Sequence, residues 1–164
     1  AVLLLPANTL VTIPAAIMWF EGGPSLGWGS APAARLATAL SGAFLAAAGL
    51  SLLAWTVRLF AVVGGGTLAP WDATKRPVFV GPYRHVRNPM YCGVVGTMFG
   101  EGILFGSPGI LLWGGIFLAV VWIWVILWEE PDAARRFGAP YLAYRKNVPR
   151  WIPRLTPWDE AGPS

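Results

Sequence analysis

Long apolar runs limit what this chain can become more than any other feature. They cover residues 2–20, 36–57, 89–105 and 110–128. Several approach the roughly 20 residues that a helix rising about 1.5 Å per residue needs to cross a hydrocarbon core about 30 Å thick. In lipid, every backbone N–H and C=O must find a partner within the segment, so such runs fold as helices. Charged residues make up 12% of the chain and apolar ones 55%. The outward helix faces of a water-soluble core this size would carry more charge. The reading is an all-α integral membrane protein with about four transmembrane helices. The last two form a hairpin across Gly106-Ser107-Pro108, and a cytoplasmic C-terminal helical segment follows. Residues 1–128 make the transmembrane domain, with a cytoplasmic loop at 64–88, and residues 129–164 make the segment that caps it.

The net charge is +4, which on its own could suit nucleic acid. Its distribution argues for a membrane surface instead. Lys75, Arg76, Arg84 and Arg87 share one loop. Arg135, Arg136, Arg145, Lys146, Arg150 and Arg154 lie in the C-terminal segment, and Arg58 ends an apolar run. Cytoplasmic loops carry such an excess of Lys and Arg, so the central loop and the C-terminus are expected on the inner side. Anionic headgroups, rather than nucleic acid, are the partners this charge fits. The topology suits a multi-pass protein of a bacterial or archaeal inner membrane.

Within the runs, small residues recur at helical spacing. Gly42, Ala46 and Gly49 mark one helix and Gly93, Gly96 and Gly100 another, a pattern that lets backbones approach closely in lipid. Pro6 and Pro14 are expected to kink the first run, which is read as a span rather than a signal peptide because it lacks a basic start. Gly64-Gly65-Gly66 has no Gly-Lys continuation and reads as a hinge, not a phosphate loop. Glu101 lies about 18 Å along its helix. It is either a functional intramembrane carboxylate or an acid at the outer headgroups, and both readings stay open here.

The chemistry gathers at the inner surface. From Gly81 to Gly93 a basic polar segment holding Tyr83, Arg84, His85, Arg87 and Asn88 turns at Pro89 into an apolar helix. Proline suits a first helical position, where its missing N–H costs nothing. Glu129-Glu130-Pro131 is expected to end the fourth span close to Arg84, Arg87, Asn88 and Tyr91. A helical stretch follows, broken near Gly138 and Pro140, with Tyr141 and Tyr144 on one face. Residues 148–153 then read as an extended strap or lid. One His and one Cys in the whole chain argue against a metal site, and no nucleophile motif is present. Basic, aromatic and amide groups facing paired glutamates suit a zwitterionic ligand.

Taken in order, Gly81-Pro82-Tyr83, Arg87-Asn88-Pro89-Met90-Tyr91-x-Gly93, the hairpin, Glu129-Glu130, Phe137-Gly138-x-x-Tyr141-x-x-Tyr144 and Val148-Pro149-Arg150 resemble the isoprenylcysteine carboxyl methyltransferase and phospholipid methyltransferase family. The resemblance covers about residues 70–154. It implies a methyltransferase that uses S-adenosyl-L-methionine and acts on a small lipophilic or lipid acceptor arriving from the bilayer. Carried over by position, the cofactor contacts are Lys75, Arg76, Pro77, Val78, Tyr83, Arg87, Asn88, Pro89, Met90, Tyr91 and Glu129. Tyr141, Tyr144, Arg150 and Trp151 fall to the substrate side. Glu101, Glu130 or His85 would act as a base only for an acceptor that must lose a proton. Two departures stand out. Asn88 replaces a frequent His, and Val125 occupies the place of an Arg that holds the substrate carboxylate in the prenylcysteine enzymes. The alternatives are a steroid-reductase-like NADPH oxidoreductase and a non-catalytic membrane scaffold.

Overall fold

The computed structural model describes residues 8–64 and 77–159. Six α-helices account for most of them, and no strand occurs among the described residues. They are α1 Ile13–Phe20, α2 Pro32–Leu59, α3 Pro89–Leu104, α4 Pro108–Trp124, α5 Glu130–Phe137 and α6 Ala139–Asn147. Two continuous helical stretches, Pro32–Gly64 and Pro108–Phe137, are long and apolar enough to cross a membrane. Asn8–Phe20 is a shorter apolar helix, and α3, with 16 residues, is about 24 Å long at the usual rise. Residues 2–7 of the first run, including Pro6, lie outside the described residues, as do Gly65, Gly66, Lys75 and Arg76 of the central loop.

The prolines shape the helices by a route that the pattern of apolar residues does not reveal. Pro131 has no N–H to give to the carbonyl four residues back. The chain passes it through a π-helical turn, Val125–Glu129, in which the Glu130 N–H reaches the Val125 carbonyl. The helical stretch expected after Glu129-Glu130-Pro131 is continuous with the fourth apolar run and extends to Phe137. The same device precedes Pro14, where the π turn Asn8–Thr12 leads into α1. The break after Phe137 falls where it was expected. Gly138 takes φ +60°, a left-handed conformation open to glycine, and Pro140 sits in the first turn of α6.

The chain forms two compact units. One takes the described residues as far as Leu53 together with Cys92–Val120, and the other takes Ala54–Tyr91 and Val121 onward. In the first unit α2 and α3 run antiparallel with almost nothing between them. A Cβ on Gly49 would lie 2.5 Å from the Thr97 nitrogen and 2.7 Å from the Gly93 carbonyl oxygen. One on Gly93 would lie 2.9 Å from the Leu53 nitrogen, and one on Gly100 would strike the backbone of Ala46. The two glycine stripes therefore meet each other, and the Thr97 hydroxyl is kept inside its own helix by donating to the Gly93 carbonyl at 2.9 Å. Contacts of Gly102 with Leu111 and of Gly114 with Met98 form the α3–α4 hairpin.

Residues 21–31 close the ends of these helices. The Gly27 N–H, Ser25 hydroxyl and Trp28 indole N–H donate to the carbonyls of Leu104, Phe105 and Gly102 at the end of α3, where the helix itself leaves its last carbonyls open; the Gly102 carbonyl also accepts from the Ser107 N–H. The Glu21 carboxylate accepts from the Ser107 hydroxyl at 2.5 Å and the Gly109 N–H at 2.8 Å, placing negative charge at the start of α4. Leu36, Leu40 and Phe44 on α2, like Leu112, Ile116 and Val120 on α4, are exposed at four-residue spacing. Apolar side chains there have lipid, not water, as their solvent.

The packing makes a direct comparison possible. Gly49→Ala pushes backbone against backbone and is expected to cost about 1–3 kcal/mol. In Gly115→Ala the new methyl meets nothing within 4 Å and gains up to about 1 kcal/mol of helix propensity. Thermal unfolding in detergent followed by circular dichroism should separate the two variants in opposite directions.

Candidate functional site

The second unit is built around a carboxylate. Glu130 opens α5 and is only 7% exposed. Its two oxygens accept from one guanidinium, with Arg150 Nε 2.6 Å from Oε1 and Nη2 3.0 Å from Oε2. Arg87 Nη1 stands 3.0 Å from the same Oε1. A buried carboxylate is tolerable only with such partners, since leaving water costs several kcal/mol per ion. Both arginines come from segments without regular structure, and backbone hydrogen bonds hold them there. The Arg87 N–H donates to the Pro149 carbonyl at 2.9 Å, and the Asn88 amide donates to the Arg150 carbonyl at 3.2 Å. The Arg154 N–H donates to the His85 carbonyl, and the Trp158 N–H to the Arg84 carbonyl. The tail after α6 is thus stitched along residues 84–88 as a strap.

The turn into this segment begins at Gly81, with φ +58°, where an added Cβ would lie 3.0 Å from Leu59 and 3.3 Å from Trp55. Gly81–Arg84 is a single 3₁₀ turn that buries Tyr83. The Tyr144 hydroxyl donates to the Tyr83 carbonyl at 2.7 Å, and the Tyr144 ring stacks on Phe79 at 4.3 Å. Burial raises the phenol pKa of both tyrosines above its ordinary value, so they remain protonated. Tyr141 is raised as well, chiefly by burial and then by the Glu130 carboxylate, against the opposing pull of Arg87. The hydrogen bond to Glu130 raises the Arg150 pKa further.

Between these elements lies a cavity of about 470 Å³, within the size range of small-molecule sites. Pro77, Val78, Tyr83, Arg87, Asn88, Met90, Tyr91, Glu129, Glu130, Tyr141 and Tyr144 all line it. Glu129 accepts from the Tyr91 hydroxyl at 3.0 Å. Neighbouring acids thus take different partners, one in the ion cluster and one at the cavity. Three buried polar atoms on lining residues have no hydrogen-bond partner, namely Arg87 Nε, Arg87 Nη1 and the Tyr83 hydroxyl oxygen.

Other expected residues stand elsewhere. Pro89 is fully buried. His85 Nδ1 lies 2.8 Å from the Arg154 carbonyl, which requires that nitrogen to carry its hydrogen. Arg150 and Trp151 belong to the strap and are not among the lining residues, and Trp151 stacks on Trp122 at 5.3 Å. Glu101 belongs to the first unit. Arg84 pairs with Asp159 and the Trp158 carbonyl, not with the acids that open α5. Lys75 and Arg76 lie outside the described residues. Sequence reasoning missed Phe60, Phe79, the stacked pair Trp124 and Trp128, and Arg135 and Arg136 as lining groups. A helix continued through Pro131 would have pointed to the last four. Among the described residues no group of three or more metal-binding side chains occurs.

Two helices long and apolar enough to cross a membrane, with a cavity lined by aromatic rings, carboxylates and guanidiniums, fit the class of membrane proteins. The sequence matches the phospholipid methyltransferase family over residues 37–140, more than half of its 164 residues. The chain belongs to that family. The match starts earlier than the motifs suggested, taking in most of α2, and stops before Tyr141. No curated protein and no solved structure gives a significant match.

Removing the central carboxylate leaves the buried Arg87 and the partly buried Arg150 without a counter-charge. Glu130→Ala is therefore expected to destabilise the protein by about 3 kcal/mol, read as a lowered midpoint of thermal unfolding in detergent.

Proposed function

We propose that this protein is an S-adenosyl-L-methionine-dependent methyltransferase of the membrane, which methylates a small lipophilic or lipid acceptor entering from the bilayer. The observation that carries the reading is one cavity lined both by a buried guanidinium, Arg87, whose Nε has no hydrogen-bond partner, and by a carboxylate, Glu129, bonded only to the Tyr91 hydroxyl among the described residues. An amino-acid ligand brings a carboxylate and an ammonium, which are the complements of these two groups. The unpartnered Tyr83 hydroxyl and the Asn88 amide add neutral hydrogen-bonding groups for a ribose or a base, and the Phe79–Tyr144 stack supplies aromatic surface. Membership of the phospholipid methyltransferase family supports both the reaction and a lipid-like acceptor.

When bound, the cofactor supplies an electrophilic methyl group on a sulfonium. The residues of this chain hold its polar ends, exclude water and fix the line of approach, which suits a transfer that needs little acid catalysis. Trp124 and Trp128 offer an acceptor an apolar edge to the cavity. Glu130 has both oxygens engaged by guanidiniums, so it serves better to organise the site than to carry a proton. The proposed topology has four spans, with the central loop and the tail on the inner side, as the distribution of Lys and Arg supports.

Titrating the detergent-solubilised chain with S-adenosyl-L-methionine and with NADPH tests this reading. Binding of the first only is expected, and Glu129→Ala should abolish it while the thermal midpoint stays close to that of the parent. Incubation with methyl-labelled S-adenosyl-L-methionine and native lipid extract should move the label into the lipid fraction. Binding of NADPH alone would overturn the assignment.

A further inference from the structure

Arg150 does not line the cavity, yet it makes the shortest contact in the ion cluster. Its backbone is held on both sides. Its own carbonyl accepts from the Asn88 amide, the preceding Pro149 carbonyl accepts from the Arg87 N–H, and the following Trp151 ring stacks on Trp122. From that fixed position the planar fork takes both oxygens of Glu130. Only the remaining capacity of Oε1 faces Arg87, whose Nη1 is 3.0 Å away without the alignment of a hydrogen bond, and Arg87 Nε also has no hydrogen-bond partner. A carboxylate and a guanidinium left alone together close into a two-bonded pair. Glu130 would then take a second donor of Arg87, a residue that lines the cavity.

We infer that Arg150 is a positioning residue that sets ligand specificity: by taking both oxygens of Glu130, it limits Glu130 to one contact with Arg87 and leaves the rest of that guanidinium for the carboxylate of a ligand in the cavity. The inference rests on the reading of the cavity as an S-adenosyl-L-methionine site. It separates two roles within one cluster. Arg87 touches the ligand, and Arg150 prevents an internal carboxylate from competing with it. Lysine cannot reproduce this fully, because an ammonium lacks the planar fork that holds two oxygens.

The test compares two ligands that differ only in the group Arg87 receives. S-adenosylhomocysteine and its decarboxylated counterpart, S-adenosyl-3-thiopropylamine, are titrated calorimetrically into the detergent-solubilised chain. The parent protein should favour the carboxylated ligand by roughly 10-fold or more, as a hydrogen-bonded charged group commonly does. Arg150→Met should lose most of that preference while binding the decarboxylated ligand unchanged, and Arg150→Lys should recover part of it. Arg150→Met combined with Glu130→Gln, which removes the competitor's charge, should also recover part. If the Met variant does not fold, Arg150→Lys alone carries the comparison, with a reduced preference expected. A folded Arg150 variant that keeps the full preference overturns the inference while leaving the cofactor reading intact. A parent protein that binds both ligands equally removes the role given to Arg87, and one that binds neither removes the cofactor reading; each overturns the inference too.

Discussion

Much of the second unit depends on one carboxylate withdrawn from water. Glu130 is acceptable in its place only because Arg150 and Arg87 reach it from separate segments. Satisfying it brings the start of α5, the stretch before α3 and the tail together. The cavity is a by-product of that convergence, since Arg87 and Glu130 of the cluster also line it while Arg150 braces them from outside. The hydrogen bonds along residues 84–88 then fix where the tail runs. A cluster of this kind contributes less to net stability than it does to a single arrangement of its parts.

The first unit rests on a different balance. Its helices gain nothing by hiding apolar groups from water when lipid surrounds them, so close contact between backbones has to supply the attraction. Gly49, Gly93 and Gly100 permit that contact, and Thr97 satisfies its hydroxyl without reaching across. Polar atoms are confined to the helix ends, where Glu21 and residues 25–28 take up the donors and acceptors that the helices leave open.

How much of this was legible in the sequence depends on the range of the interaction. Local signals carried well. The glycine stripes, the Gly106-Ser107-Pro108 turn, the break at Gly138 and the start of α3 at Pro89 all follow from one residue's conformational limits or from a repeat along one helix. The nearness of Glu129 to Tyr91 and of Glu130 to Arg87 followed from where two helices change from apolar to polar. What escaped was decided by hydrogen-bond register or by contacts distant in the chain. Proline reads as a stop signal, and nothing in Leu127 to Pro131 announces a wider turn that carries the helix past it. The attraction of Arg84 to the far end of the tail, in place of the acids, joins positions 75 residues apart, and no spacing rule reaches that far.

The π turn before Glu130 also fixes something about register. Such turns hold one residue more than an ordinary helix would place in the same rise. Wound as an ordinary helix, the same residues would turn everything after them by about 100° around the axis. Glu130 would then no longer meet Arg150 and Arg87, nor Glu129 the Tyr91 hydroxyl. The wider turn is therefore as much a condition of the site as the identity of the two acids.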